Sequence, residues 1–251
     1  MSHLIAGLRV VLMILVLSIF YLGYKLFLLF FPHTDKQGFK LRRLFLRIII
    51  VVLGMRIKKS GHAHDAPSLY VCNHRGILDF FITLRYVDAF ILSKAEVEKI
   101  PILAPASAYT GVIYVKREDK SSRGAARKAI IDALNAGRNV FIFPEGTTNY
   151  RQRTMDFKIG AFEEVAKHGY PVVPVALEYR TRRDYWKDIS TKAMVVQQYG
   201  KLFTQCKLKF GSPLTNDDPL ELCKQAKQWI DDTLVDMQQD WSKVDFEHDF
   251  D

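Results

Sequence analysis

The chain has 251 residues, of which 49% are hydrophobic, and a formal net charge of +9. This length can bury one sizeable core, and three cysteines at wide spacings are typical of a reducing compartment rather than of a disulfide framework. Residues 1–60 hold ten Lys or Arg and one acidic residue, so the charge excess indicates a membrane surface better than it indicates nucleic acid.

The chain begins with an apolar segment, residues 4–31, that is interrupted only by Arg9 and Lys25. Its uninterrupted centre, residues 10–24, is shorter than the ~20 residues that a perpendicular membrane span needs. No small-residue cleavage site follows, so we expect a permanent segment that either spans the membrane or lies in its interface. The excess of basic residues after it predicts that the rest of the chain faces the cytosol.

A second apolar run, residues 48–55, is too short to cross a membrane and is bracketed by basic residues. It predicts an interfacial helix or one arm of a helical hairpin. We therefore divide the chain into a membrane-associated helical leader, residues 1–60, and a folded domain, residues 61–251.

Short apolar runs and helical patterns alternate through the folded domain. Strands are predicted at residues 68–72, 90–92, 111–115, 139–143 and 172–179, with an edge strand at 207–210. Helices are predicted at residues 76–87, from a cap at Ser121 or Ser122 to Gly137, at 157–168 and at 217–240. This order predicts an α/β fold, a largely parallel or mixed sheet covered by helices, with ligands at the carboxyl ends of the strands.

Residues 73–79 follow the first predicted strand and contain His74 and Asp79. Five residues correspond to about 140° of rotation on a regular helix, so the two side chains share a face only if His74 precedes the helix and Asp79 lies in its first turns. The carboxylate can then orient the imidazole as a general base for an alcohol. By itself this spacing is weak evidence, since a histidine beside a helix start is more often structural.

Residues 143–148 follow another predicted strand and read Phe-Pro-Glu-Gly-Thr-Thr. A proline and a glycine hold the backbone open, and exposed N–H groups at such a turn can bind a phosphate or a developing oxyanion. This turn and residues 73–79 are both expected at strand ends of one sheet, which favours a functional interpretation.

Four ordered segments between about residues 68 and 178 resemble the sequence blocks of the glycerolipid acyltransferases, most closely the bacterial 1-acyl-sn-glycerol-3-phosphate acyltransferases. They are residues 73–79 (Asn, then His-x4-Asp), 111–117 with Lys94, Lys99 and Pro101 in the preceding run, 143–147, and 172–175. Residues 157–161 are similar to the family's stretch between the last two blocks. Residues after about 180 add little to the resemblance.

The resemblance implies transfer of a fatty acyl group from acyl-CoA or acyl-carrier protein to the free hydroxyl of a lysolipid. The first expected acceptor is 1-acylglycerol-3-phosphate, acylated at sn-2 to phosphatidic acid, on the cytosolic face of the inner membrane. His74 would deprotonate that hydroxyl and Asp79 would hold the imidazole. No cofactor, metal or nucleic acid is expected, and no acyl-enzyme is required, although Cys72 is a minor alternative as a nucleophile.

The resemblance also implies a set of substrate-binding residues, in which the cations hold the acceptor's phosphate. These are Asn73, Lys94, Arg117, Glu145, Gly146 and Thr147.

Two positions depart from the family pattern. Thr148 stands where phosphatidate-forming members usually have an arginine, so Arg151 or Arg153 replaces it or the acceptor lacks a phosphate monoester. Arg75-Gly76 stands where Gln-Ser is common, which predicts an altered lip of the acceptor site. Lyso-ornithine lipid or another lysolipid therefore remains an alternative acceptor.

Three other classes of function account for part of this sequence. A hydrolase would use the same His–Asp pair on water, but the apolar leader favours a lipid acceptor. A non-enzymatic membrane-binding module explains the leader and leaves both motifs without a purpose. A nucleic-acid binder would use the basic and aromatic residues 179–187, a stretch that fits headgroups, CoA phosphates, a carrier protein or a solvated loop as well.

Overall fold

The computed structural model describes residues 1–95, 109–116, 119–186 and 190–239. Within them seven strands form one sheet in the order β1-β7-β6-β2-β5-β3-β4. The strands are β1 (Met55–Ser60), β2 (Leu69–Cys72), β3 (Ala89–Lys94), β4 (Val112–Val115), β5 (Asn139–Ile142), β6 (Val172–Tyr179) and β7 (Thr204–Phe210). From β6 to β4 all neighbours are parallel, whereas β7 is antiparallel to β6 and parallel to β1. The mixed, largely parallel sheet confirms the predicted fold class.

Helices cover both faces of the sheet. They are α1 (Ser2–Phe27), α2 (Asp35–Val52), α3 (Leu78–Thr83), α4 (Lys120–Asn135), α5 (Gly160–Lys167), α6 (Thr191–Tyr199) and α7 (Pro219–Gln239). Because side chains alternate along a strand, Tyr70 and Cys72 of β2 pack with α1, α2, α3 and α6, whereas Leu69 and Val71 pack with α4, α5 and α7. The result is a three-layer arrangement with a hydrophobic core on each face of the sheet.

Several element boundaries differ from the predictions for local reasons. Strand β6 has the predicted bounds, but α3 is a single short helix within the predicted 76–87. Helix α4 is capped by Asp119, whose carboxylate accepts the N–H of Ser121, and the Ser122 hydroxyl instead accepts the N–H of Lys116. Gly137, at φ +74°, follows the end of α4 as predicted.

Residues 55–60, which the sequence assigns to the end of the leader, form strand β1 of the sheet. Strand β1 pairs with β7 along its whole length, so β7 is not the edge strand that its alternation predicted. Helix α2 places Ile49, Ile50 and Leu53 in the core beside the sheet. The basic residues that flank 48–55 suggested headgroup contacts, but residues 35–60 belong to the folded domain.

Arg42 shows how firmly α2 is joined to the sheet. Its guanidinium, only 6% exposed, donates to the carbonyls of Val87, Ala89 and Thr110 at 2.6–3.2 Å. Burial lowers the pKa of this arginine to about 10, which still leaves it charged at neutral pH. One side chain therefore satisfies backbone carbonyls at the start of β3 and just before β4.

Arg42→Lys should destabilise the fold, because one ammonium group on a single point cannot reach all three carbonyls. We expect a loss of about 2 kcal/mol, the cost of leaving a buried carbonyl unsatisfied, seen as a drop of about 5 °C in the unfolding midpoint. The matched control is Arg47→Lys on the exposed face of the same helix, which should change the midpoint by about 1 °C or less. Equal midpoints for the two variants would contradict this role of Arg42.

Candidate active site

The carboxyl ends of β2, β5 and β6 meet at one edge of the sheet, and the turn after β2 brings His74 and Asp79 together there. His74 lies before α3 and Asp79 is in its first turn. The distance from His74 Nδ1 to Asp79 Oδ2 is 2.8 Å. Asp79 is fully buried, and the side chain of His74 is 14% exposed.

This contact fixes the tautomer of the imidazole. A carboxylate partner requires Nδ1 to carry the proton, which leaves the lone pair of a neutral ring on Nε2. In the part of the chain that the structure describes, Nε2 makes no hydrogen bond. His74 is therefore arranged to accept a proton from a group that approaches Nε2.

Asp79 is held by more donors than His74 alone. Oδ2 also accepts the backbone N–H groups of Arg75, at 2.6 Å, and Gly76, at 2.8 Å. Oδ1 accepts the hydroxyl of Tyr179, at 2.6 Å, from the end of β6. These donors compensate for the burial of the carboxylate.

Two phenylalanines hold the imidazole plane. The ring of Phe143, which directly follows β5, stacks on His74 with a centroid distance of 4.1 Å. Phe80 of α3 meets it edge-on at 5.6 Å. The His74 ring is thus fixed by one carboxylate and two aromatic contacts.

Glu145 ties the second motif to the first. Its Oε1 accepts the backbone N–H of His74 at 2.9 Å, and Oε2 accepts from Met155 N–H and the Asn149 side chain. In return, the N–H of Asn149 donates to the carbonyl of His74 at 2.8 Å. Burial raises the pKa of Glu145, while these donors oppose the rise. Glu145 therefore positions the two turns against each other.

The neighbouring Gly146 has φ +75°, a conformation that favours glycine. Its N–H closes the turn by donating to the carbonyl of Phe143, so it is not the open donor that the sequence suggested. Thr147 is exposed, and within the described residues its backbone N–H has no partner. If this turn binds an anion, Thr147 is better placed than Gly146.

Two residues of the first motif are buried and hold neighbouring backbone segments together by hydrogen bonds. Asn73 exchanges both atoms of its amide with the backbone of Leu177 on β6, at 2.8 Å each. Arg75, also fully buried, pairs with Glu178 and donates to the carbonyls of Asn149, Arg151 and Gln152. The structure thus shows both amide atoms of Asn73 engaged with the backbone of β6, and Arg75 is buried rather than at a lip of the site.

The cations that are expected to bind the acceptor's phosphate come from separate segments of the chain. Lys94 ends β3 and is exposed, two strands or roughly 10 Å from β2, while Arg117 lies outside the described residues. Arg151 and Arg153 are exposed on the loop that follows Thr148. Their backbone carbonyls bind Arg75 and Asn149, which fixes the loop and leaves the guanidinium groups at its surface.

Two other expectations concern nucleophiles and metals. Cys72 is fully buried, and burial raises the pKa of its thiol well above the ordinary value, which disfavours a thiolate nucleophile. Among the described residues, no three His, Cys, Asp or Glu come together in a group that could hold a metal ion.

An apolar cavity of about 310 Å³ lies beside the dyad. Phe80, which touches His74, forms part of its wall together with Ile77. Leu17 and Phe20 of α1 and Leu41 of α2 form the opposite side. Its lining suits a hydrocarbon chain rather than a polar ligand.

Sequence reasoning missed Tyr179 and the aromatic packing around His74. Tyr179 closes a strand whose neighbours in space are unknown from the sequence, so only its place at a strand's carboxyl end marks it. Phe143 had a clearer signal, since it opens the second motif.

Comparisons with known proteins agree with this geometry. The model of the family described as Acyltransferase matches residues 55–178. The chloroplastic 1-acyl-sn-glycerol-3-phosphate acyltransferase of Arabidopsis thaliana is 34% identical over 69% of this chain and 49% of its own length. The lyso-ornithine lipid O-acyltransferase of Pseudomonas aeruginosa is 30% identical over 56% of this chain and 54% of its own length. The chain spans about half the length of these curated relatives.

A solved structure supports the fold independently. The crystal structure of the 1-acyl-sn-glycerophosphate acyltransferase of Thermotoga maritima has a TM-score of 0.69 and 21% sequence identity, covering 95% of this chain and all of that one. The family match begins at residue 55, where β1 begins. Residues 55–178 therefore match the Acyltransferase family, and the chain resembles the glycerolipid acyltransferases in fold as well as in its sequence blocks.

Proposed function

We propose that this chain transfers a fatty acyl group from a thioester, acyl-CoA or acyl-carrier protein, to the free hydroxyl of a lysolipid at a membrane surface. The observation that carries the proposal is the contact between His74 and Asp79, which leaves Nε2 as the available base. Phe80, which contacts this imidazole, also lines the apolar cavity. A base and a hydrocarbon site side by side match an acceptor with both a hydroxyl and a lipid tail.

In the proposed reaction, Nε2 of His74 takes the proton of the acceptor hydroxyl as its oxygen attacks the thioester carbonyl. The C–S bond then breaks, the ester forms, and the imidazolium returns the proton to the leaving thiolate. Asp79 stays ionised and stabilises the imidazolium. The N–H of Thr147 is our candidate donor to the oxyanion of the tetrahedral intermediate.

The proposed acceptor is 1-acylglycerol-3-phosphate, with lyso-ornithine lipid or another lysolipid as the alternative. Lys94, Arg151 and Arg153 supply exposed positive charge near the site, and Arg117 remains an expected contributor. One relative acts, by its name, on 1-acyl-sn-glycerol-3-phosphate and another on lyso-ornithine lipid, so both acceptors have support.

We also propose that α1 lies in the membrane interface, on the cytosolic face of the inner membrane. By length and composition α1 could cross a membrane. However, Arg9 donates to the carbonyls of Tyr199, Lys201 and Leu202, which binds the first turns of α1 along the domain. Leu8, Leu15 and Leu22, seven residues apart, form an exposed apolar face that fits one leaflet.

His74→Ala should reduce acyl transfer by about 10³-fold, since general-base catalysis contributes on the order of 10²–10⁴. The measurement is kcat/KM with an acyl-CoA and 1-acylglycerol-3-phosphate in detergent, with far-UV circular dichroism to check the fold. His168→Ala, on the exposed end of α5, is the matched control and should keep full activity. A His74 variant as active as this control would remove the mechanism.

The acceptor can be identified by product analysis with one acyl-CoA and, separately, 1-acylglycerol-3-phosphate, lyso-ornithine lipid and lysophosphatidylglycerol. We expect phosphatidic acid as the main product. Preference for another lysolipid would support the alternative acceptor, and release of free CoA without any acylated lipid would favour the hydrolase.

If phosphatidic acid forms, Arg151→Ala with Arg153→Ala should raise KM for the acceptor about tenfold, the effect of losing roughly 1.4 kcal/mol of phosphate binding. The control is Lys224→Ala on the exposed face of α7, where the lysine side chain is 78% exposed. An unchanged KM would assign the phosphate to other cations.

Replacing Leu8, Leu15 and Leu22 together by glutamate should release the protein from liposomes without unfolding it, since these side chains are 53–65% exposed. The measurement is the bound fraction in flotation with anionic vesicles. Leu220→Glu, equally exposed on α7, is the control and should leave binding unchanged. Undiminished binding of the triple variant would place the membrane contact elsewhere.

A further inference from the structure

We propose that Tyr179 is a positioning residue that acts on His74 through Asp79, and that its hydroxyl sets how strongly His74 holds a proton. This inference rests on the proposed function, because it assigns a part in the same reaction to a residue outside the four sequence blocks. Tyr179 does not touch the imidazole; its effect would pass through the carboxylate.

The two oxygens of Asp79 have different surroundings. Oδ2 accepts from His74 Nδ1 and from two backbone N–H groups, those of Arg75 and Gly76. Within the described residues, Oδ1 accepts from Tyr179 alone, at 2.6 Å. Both Asp79 and Tyr179 are fully buried, so solvent does not replace this donor.

Tyr179 is itself held in place by the sheet. It ends β6, the strand next to β2, and the amide of Asn73 fixes the end of β2 to Leu177 two residues earlier. Its N–H donates to Glu178 Oε1. The hydroxyl therefore meets Asp79 from a rigid strand rather than from a loop.

The proton of this contact belongs to the tyrosine. Burial, and then the negative charge of Asp79, raise the pKa of Tyr179 well above its ordinary value, so the phenol stays protonated and donates. A donor on Oδ1 draws negative charge from the carboxylate and weakens its attraction for an imidazolium. With the donor present, His74 gives up its proton more readily.

Other titratable groups surround the Asp79 carboxylate, and a variant at position 179 is informative only if these groups stay unchanged. Besides His74 and Tyr179 they are Cys72, Arg75, Glu145, Asp184 and Cys206. Burial raises the pKa of both cysteines, so they remain neutral thiols, and Arg75 remains paired with Glu178. A phenylalanine at position 179 changes none of these side chains.

The test is Tyr179→Phe in the full chain, with the titration of the His74 ring nitrogens followed by NMR in detergent without substrate. The His74 signals are assigned by their loss in His74→Ala. We expect the midpoint to rise by about 0.5–1 unit, since the lost hydrogen bond to a charged group is larger than one pKa unit and only part of it reaches the imidazole. The acid limb of kcat/KM against pH should move the same way, so that activity at pH values below both midpoints falls about three- to tenfold.

Tyr70→Phe is the matched control, because Tyr70 is equally buried on β2 and its hydroxyl contacts the backbone of His64, not the dyad. It should leave the titration of His74 unchanged. An unchanged midpoint in Tyr179→Phe as well would overturn the proposal and reduce Tyr179 to a packing residue.

If Tyr179→Phe does not fold, 3-fluorotyrosine at position 179 keeps the ring and strengthens the donor, and the midpoint should then fall. A midpoint that does not fall would equally overturn the proposal. A wild-type protein that acylates no lysolipid would contradict the proposed function, whereas the NMR titration would still decide the link from Tyr179 to His74.

Discussion

The buried carboxylate of Asp79 is the constraint on which the arrangement of the site depends. An ion of this kind costs several kcal/mol to remove from water unless donors surround it. Here the donors come from three places: the turn after β2, the imidazole of His74 and the end of β6. The buried carboxylate is stable only when all of these donors are in place. Correct pairing of the strands is therefore required for the contact between His74 and Asp79 to form.

A second buried carboxylate applies the same principle one strand away. Glu145 accepts the N–H of His74, and Asn149 returns a hydrogen bond to the carbonyl of the same residue. Arg75 then fastens the following loop through its carbonyls to Glu178 on β6. The two motifs are therefore a single hydrogen-bonded unit, with the histidine backbone at its centre and Phe143 stacked on its imidazole.

The features that the sequence predicts are those in which the interacting residues lie close together along the chain. Strand β6, the α/β class and the approach of His74 to Asp79 depend on local periodicity and on a five-residue spacing, and all were predicted. The roles of Arg42 and Arg75 depend on carbonyls far along the chain, so both looked like surface charges while they are among the most buried side chains. Strand β1 was missed because its partner, β7, lies about 150 residues away, and pairing at such a distance leaves no local pattern.

The apolar cavity is lined both by residues inside the acyltransferase-family match, which begins at residue 55, and by the two helices that precede it. One wall comes from α3 and the sheet, beside the histidine, and the other from α1 and α2. A graft of residues 55–239 onto a different anchor would keep every described residue that contacts the dyad and leave that cavity open along one side. The N-terminal helices therefore form part of the cavity wall. Substitutions of the side chains that line it, such as Leu17 and Phe20, change the volume of the cavity without altering a catalytic group.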